Sequence, residues 1–203
     1  MNLDTTQLLA IAAGLGWASG LRLYAVLFLT GMAGFMGWVD LPLGLKLLQS
    51  PLMLGASGVM LFVEFFADKI PGVDSLWDLI HTLLRVPAGA ALAAAVFGAD
   101  QASWAMAAAL MGGTLAATSH VAKATTRAAV NTSPEPFSNI AMSLLGDSVV
   151  PVSLWLSWAH PTVFFVALAV ALVVMLGLIW VFARFLRGIV WRLTGRAPAA
   201  DVS

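Results

Sequence analysis

Apolar segments of helical length, separated by short breaks, take up almost the whole chain. The run from Val163 to Ala183 contains no charged side chain, and about 20 such residues are enough for a helix to cross a bilayer. Of the 203 residues, 61% are hydrophobic and 10% are charged, and the mean hydropathy is +0.94. Helices that are apolar on nearly every face do not fold as a soluble domain. The sequence therefore predicts an integral membrane protein.

We predict an all-α membrane protein with about six transmembrane helices in a single domain, residues 1 to 194. Proline and glycine mark the breaks between the helices, because both residues interrupt a helical pattern. The predicted spans run from the N-terminus to about Trp38 and then over residues 51 to 67, 75 to 97, 102 to 130, 134 to 158 and 161 to 190. The tail, residues 195 to 203, is predicted to be disordered and cytoplasmic.

The first apolar region carries a charge, Arg22, about midway along its length. Gly16 and Gly20 precede this residue at the spacing that lets helix backbones approach closely in lipid. A charge at this depth is costly unless it is paired or hydrated, so Arg22 should face the protein interior. The region is expected to be kinked or divided near Gly20. Two half-helices that fold back, instead of one crossing, would invert every later span.

Basic residues predict the orientation, because cytoplasmic ends of membrane helices are enriched in lysine and arginine. Four arginines cluster at the end of the sixth span, and three more basic residues flank the connections after the second and fourth spans. These residues are Arg184, Arg187, Arg192 and Arg196, and Lys69, Lys123 and Arg127. Both termini are therefore predicted to be cytoplasmic.

A weak internal repeat places an arginine on the first helix of each half of the chain. Arg22 lies in the sequence SGLRLYA, and Arg127 lies in ATTRAAV. Three spans in each half would make the two halves inverted repeats, an architecture found in small transporters that have broken helices near the membrane midplane.

Polar side chains recur at the spacing of one helical face on three of the predicted helices. These faces consist of Asp74, Asp78, His81 and Arg85 on the third helix, His120, Lys123, Arg127 and Asn131 on the fourth, and Glu135, Asn139, Ser143 and Asp147 on the fifth. The segment before the third helix adds more charges, so that residues 63 to 85 hold four of the ten acidic residues. Apart from Ser143, we predict that these polar residues bind a substrate together with Arg22, Glu64, Asp68 and Lys69.

Two interpretations of the polar faces remain open. Buried ion pairs can simply fix the register of helices, but ionisable groups inside a membrane are more often functional, because an apolar interface costs less to build. In either case, we expect Asp74 or Asp78 to pair with Lys123 or Arg127 across the third and fourth helices.

Several classes of function are disfavoured by the sequence. The formal net charge is zero, so nothing indicates nucleic-acid binding, and the absence of cysteine removes thiolate metal sites. Glu64 and Asp68 lie near other oxygen ligands, but their spacing matches no defined metal loop, so we predict neither a metal ion nor a cofactor. No hydrolase, zinc-protease, phosphate-binding or dinucleotide-binding motif is present, and no enzyme activity is predicted.

Three segments carry a family resemblance. GLR at residues 20 to 22, VEFFADKIPGVD at 63 to 74, and HVAKATTRAAVNTSPEPFSN at 120 to 139 resemble the bacterial membrane proteins of the DUF4126 family, a domain of unknown function. The resemblance implies a multi-pass protein of the bacterial inner membrane, and it supplies no mechanism.

The function predicted from these residues is that of a small transporter or channel for an ion or small polar solute. The alternative is a structural or lipid-handling protein that binds a lipid headgroup or acts like a scramblase. Membrane lipids and a second copy of the chain are the expected partners. The predicted homodimer rests on the close packing offered by Gly16, Gly20, Gly31, Gly34, Gly112 and Gly113.

Overall fold

The computed structural model describes residues 3 to 70, 72 to 98, 101 to 131 and 137 to 194, with side chains of the last helix as far as residue 188. These ranges form only helices: α1 (Thr5–Phe35), a 3-10 helix (Leu43–Gln49), α2 (Pro51–Ala67), α3 (Val73–Ala95), α4 (Ala102–Val130), α5 (Phe137–Ala159) and α6 (Pro161–Thr194). The all-α prediction is confirmed over these ranges. Glu135, the Arg192 side chain and the predicted disordered tail with Arg196 lie outside them.

Most helix bounds lie close to the predicted ones. The predictions of 51 to 67 and 102 to 130 match α2 and α4, whereas α3 begins and ends two residues earlier than predicted. Helix α1 stops at Phe35 instead of near Trp38, because Gly37 has a φ of +72° and turns the chain toward the 3-10 helix, which the sequence pattern did not predict.

Short polar side chains fix the starts of the first two long helices. Asp4 accepts a hydrogen bond from the backbone N–H of Gln7 at 2.7 Å, and Ser50 accepts one from Met53 at 3.3 Å. Both contacts satisfy N–H groups that have no partner within the helix, and Pro51 fills the first helical position of α2, where its missing N–H does no harm.

Helices α1, α4, α5 and α6 are each long and apolar enough to cross a membrane, and the 3-10 helix together with α2 forms a fifth candidate bent by 69°. The described residues therefore contain four or five candidate spans, fewer than the six predicted. Helix α3 does not qualify by composition, since it carries Asp74, Asp78 and Arg85.

Helix α1 forms the centre of the bundle. In its most apolar window 83% of the residues are buried, compared with 11% in α6, which lies at the periphery. Glycine makes this central position possible: a Cβ added at Gly16 would collide with the backbone of Gly112 in α4, and one at Gly20 would collide with Ala116 and Ser119. The backbones of α1 and α4 are therefore in direct contact.

The glycines on which the homodimer prediction rests pack against other elements of the same chain. A Cβ at Gly31 would meet Leu48, one at Gly34 would meet Leu41 and Gln49, and those at Gly112 and Gly113 would meet Ala93 and Ala90 of α3. Together with Gly16 and Gly20, all six pack against neighbouring elements of the same chain. The reason given for a dimer was therefore wrong, and the dimer stays a prediction without that support.

The predicted interruption of α1 lies at Arg22, two residues after Gly20. Its backbone, at φ −148° and ψ 88°, is extended inside an otherwise continuous helix. The interruption frees carbonyl oxygens that would otherwise accept hydrogen bonds along the helix. Lys123 donates to one of them, the carbonyl of Leu21, at 3.0 Å. A cationic side chain of α4 thus satisfies the broken backbone of α1, as burial in a membrane protein requires.

Candidate functional site

Ten charged side chains, five basic and five acidic, meet around the interruption in α1. They are Arg22, Lys69, Arg85, Lys123 and Arg127, and Glu64, Asp68, Asp74, Asp78 and Asp147. We call this set the charged cluster. It contains half of the ten basic and half of the ten acidic residues of the chain, drawn from α1 to α5 and from the turn that follows α2.

Asp68 lies at the centre of the charged cluster. Its carboxylate is fully buried, and its Oδ2 atom lies 3.1 Å from a side-chain nitrogen of each of three cations, Arg22, Lys123 and Arg127. The residue occupies the C-terminal cap of α2, five residues before α3 begins at Val73. One acid therefore links α2 to α1 and α4.

Arg85 bridges α2 and α3. Its Nη2 atom lies 2.9 Å from Glu64 and its Nη1 atom lies 2.8 Å from Asp78, and the Arg85 and Glu64 side chains are completely buried. Asp78 is also 3.1 Å from Lys123 of α4. Such charges are stable in an apolar interior only because each has a partner of opposite sign.

The predicted pairing of α3 with α4 is confirmed by three contacts, the longest of which joins Arg127 Nε to Asp78 Oδ2 at 3.7 Å. In addition to the Lys123–Asp78 pair, Arg127 Nη1 lies 3.4 Å from Asp74. Asp74 Oδ1 also accepts hydrogen bonds from the backbone N–H groups of Gly72 and Ser75, and Asn131 donates to both of its oxygens at 3.1 and 3.2 Å. Asp74 thereby anchors the first turn of α3 to the end of α4.

Helix α5 enters the cluster through two of its predicted face residues. Asp147 lies 3.0 Å from Arg22 and 3.0 Å from Lys69, and Ser143 accepts a hydrogen bond from Arg22 at 2.9 Å. Asn139 is buried as well, but its amide has no hydrogen-bond partner among the described residues. The structure thus brings Asp147 into the cluster and leaves Asn139 outside its hydrogen bonds.

His120 joins the cluster as a neutral imidazole. Its Nδ1 atom lies 3.2 Å from Arg85 Nη1, and because a guanidinium only donates, Nδ1 must accept. Its Nε2 atom, 2.8 Å from Thr82 Oγ1, then carries the proton and donates, while Thr82 donates onward to the carbonyl of Asp78.

His81 is held in the opposite tautomer. Its Nδ1 atom lies 2.8 Å from the carbonyl of Trp77 and must donate, and in the neutral ring Nε2 then accepts from the hydroxyl of Tyr24 at 3.1 Å. The indole of Trp77 stacks on the imidazole, with 4.1 Å between ring centroids. Sequence reasoning missed Tyr24 and Thr82, although Tyr24 is the only tyrosine of the chain and lies two residues after Arg22.

A cavity of about 300 Å³ adjoins the cluster between α1, α4, α5 and α6. Four charged residues of the cluster line it: Arg22, Asp68, Lys123 and Arg127. The Nε and Nη1 atoms of Arg22 have no hydrogen-bond partner among the described residues, although the residue is only 1% exposed. Gly146, another lining residue, lies next to this Nε, since a Cβ built on it would be 3.5 Å away. Two unpaired donors of a lining residue are therefore buried in the wall of this cavity.

Among the described residues, no group of three or more histidine, aspartate or glutamate side chains has a metal-binding arrangement. Each of the five acids in the charged cluster instead contacts a lysine or arginine side chain.

A family model described as "Domain of unknown function (DUF4126)" matches residues 9 to 183. This match covers most of the 203 residues, so the chain belongs to the DUF4126 family and the resemblance in its sequence motifs is confirmed. Comparison with curated proteins found no match, and comparison with solved structures found none. The family description names no activity.

Proposed function

We propose that this member of the DUF4126 family is a small membrane transporter or channel, not an enzyme, and that it passes a small anion through the charged cluster. One observation carries the proposal: Arg22, buried at the interruption of α1, keeps two guanidinium nitrogens without partners beside a cavity. An unused donor in an apolar interior costs free energy, and an anion that accepts its hydrogen bonds removes that cost.

The charged residues that line the cavity favour an anionic solute over a cationic one. Three cations line it, against a single acid, Asp68, whose Oδ2 atom already contacts all three. The remaining acids of the cluster are paired with arginine or lysine and do not line this cavity. A small anion is therefore attracted, and a small cation meets a local excess of positive charge.

Replacing Arg22 by Gln tests this role with little damage to the fold. Asp68 would keep Lys123 and Arg127 as partners, and Asp147 would keep Lys69, so no acid is stranded. We expect R22Q to lower the flux of chloride or inorganic phosphate out of proteoliposomes by at least about tenfold, the effect of losing one charge-assisted hydrogen bond.

Arg187 supplies the control, because it lies exposed near the end of α6 and outside the charged cluster. R187Q should leave the flux at the wild-type level. If wild-type protein releases neither anion faster than protein-free liposomes do, or if R22Q equals wild type, the proposal fails.

We further propose six spans with both termini in the cytoplasm, with α3 as the additional crossing. Leu76, Leu79, Ile80 and Leu83 of this helix are 57 to 82% exposed and suit contact with lipid, whereas its charges point into the cluster. A six-span bundle accommodates α3 because its polar face is covered by α1 and α4.

Reporter fusions test this topology. A reporter attached after Ser203 should report the cytoplasm, and one inserted at residues 42 to 49 should report the opposite side, because six spans precede the first position and a single span precedes the second. Two reporters on the same side would refute the six-span arrangement.

A further inference from the structure

A second cavity, along α5 and α6, adjoins the one beside the charged cluster. The second cavity has a volume of about 270 Å³. Trp17 of α1, Val149 of α5 and Ala171 of α6 line both cavities, so the two share a wall at these residues. We call the combined space the amphiphilic groove. From Gly146 to Leu156 along α5 it extends roughly 15 Å, at about 1.5 Å per helical residue.

The two ends of the amphiphilic groove differ in chemistry. The charged end has the four cluster residues described above, whereas the far end is lined by Val152, Leu156, Phe164 and other apolar side chains. Two serines also line the far part, but Ser148 donates to the carbonyl of Leu144 at 3.0 Å and Ser153 to that of Val150 at 2.8 Å. Their hydroxyl protons are thus engaged within their own helix, so the far end presents an apolar wall.

The rim of the groove faces the apolar surface of the protein. Leu145 and Val174 are each 55% exposed, and Leu178 is 45% exposed, although all three also line the cavity. They belong to α5 and α6, both of which are long and apolar enough to cross a membrane. A ligand would therefore enter sideways from the hydrocarbon region and need not cross the polar membrane surface first.

We propose that the amphiphilic groove binds an anionic amphiphile, an alkyl phosphate monoester or a comparable lipid anion. The headgroup accepts hydrogen bonds from the unused Nε and Nη1 atoms of Arg22, close to Lys123 and Arg127, and the alkyl chain lies along Val149 and Ala171. This inference rests on the proposed function and names the substrate class of the same site. Apolar walls with a few convergent polar groups at one end are the usual composition of such pockets.

Substitution of Ala171 tests binding of the alkyl chain separately from binding of the headgroup, because Ala171 lies where the two cavities meet. We expect A171L to weaken binding of dodecyl phosphate by about tenfold and to leave butyl phosphate unchanged, since only the longer chain passes this point. The matched control is A169L, an exposed position on the same helix that lines neither cavity. Binding is measured on purified protein in a neutral detergent, and thermal unfolding confirms that each variant is folded.

Inorganic phosphate, run beside the two esters, separates a lipid anion from a free one. The inference predicts that dodecyl phosphate binds more tightly than inorganic phosphate and that R22Q weakens both esters. The inference is overturned if all three phosphates bind equally tightly, or if A171L weakens the binding of both esters to the same extent. It is also overturned by an absence of dodecyl phosphate binding while flux that depends on Arg22 persists, and in that case passage of a small anion still stands.

Discussion

Replacement of Arg85 by Ala is expected to destabilise the folded protein by about 3 to 5 kcal/mol, the usual cost of removing one partner from a buried ion pair. Arg85 is completely buried and is the only ion-pair partner of Glu64 among the described residues, while Asp78 keeps Lys123. The variant therefore strands a carboxylate inside the bundle. Thermal unfolding in detergent measures the loss.

A second substitution shows whether R85A loses stability because a charge is stranded or because packing is lost. In the double variant E64L and R85M the whole pair is replaced by apolar side chains of similar size, and most of the lost stability should return. R187A, at an exposed position near the end of α6, should have little effect. If the double variant unfolds as readily as R85A alone, the pair is not the source of the loss.

Replacement of Gly16 by Leu is expected to cost about 3 kcal/mol or more, because overpacking at this site forces two backbones apart. A Cβ at this position would collide with Gly112 of α4, which is backbone and cannot move aside as a side chain would. Gly55 of α2 provides the control, since nothing lies within 4 Å of a Cβ built on it. G16L should unfold at a lower temperature than wild type, and G55L should not.

The way the unfolding temperature depends on protein concentration shows whether Gly16 packs within one chain or between two copies of the chain. Loss of packing within one chain lowers the unfolding temperature equally at every concentration, whereas loss of a dimer contact is relieved as the concentration rises. An unfolding temperature of G16L that rises strongly with protein concentration would instead place Gly16 at an interface between two copies of the chain.

Periodicity predicted the charged faces because spacing along one helix is a local property. Asp74, Asp78 and Arg85 recur at helical intervals, and so do Lys123 and Arg127, which made the pairing of α3 with α4 predictable before any fold was known. Balance of charge then pointed to ion pairs within the bundle. Whether these residues bind a substrate stays a prediction.

Other features depend on contacts between distant segments and could not be predicted in this way. The groups that bind Arg22 come from the C-terminal cap of α2 and from α5, 46 and more residues away, and they meet it where the extended backbone at Arg22 interrupts α1. The glycine spacing in α1 and α4 indicated close packing correctly, but spacing alone does not distinguish a neighbour in the same chain from one in a second copy. The 3-10 helix has too few residues to show a period of its own.

The equal numbers of acids and bases in the charged cluster have an electrical consequence. With all ten groups ionised, the cluster carries no net charge, so moving it as a unit through the membrane potential requires no electrical work. A monovalent anion that crosses with it then contributes the entire transferred charge, about 2.3 kcal/mol for each 100 mV. Passage of a monovalent anion alone by the proposed route would therefore be electrogenic, and the membrane potential would contribute to the direction of its movement.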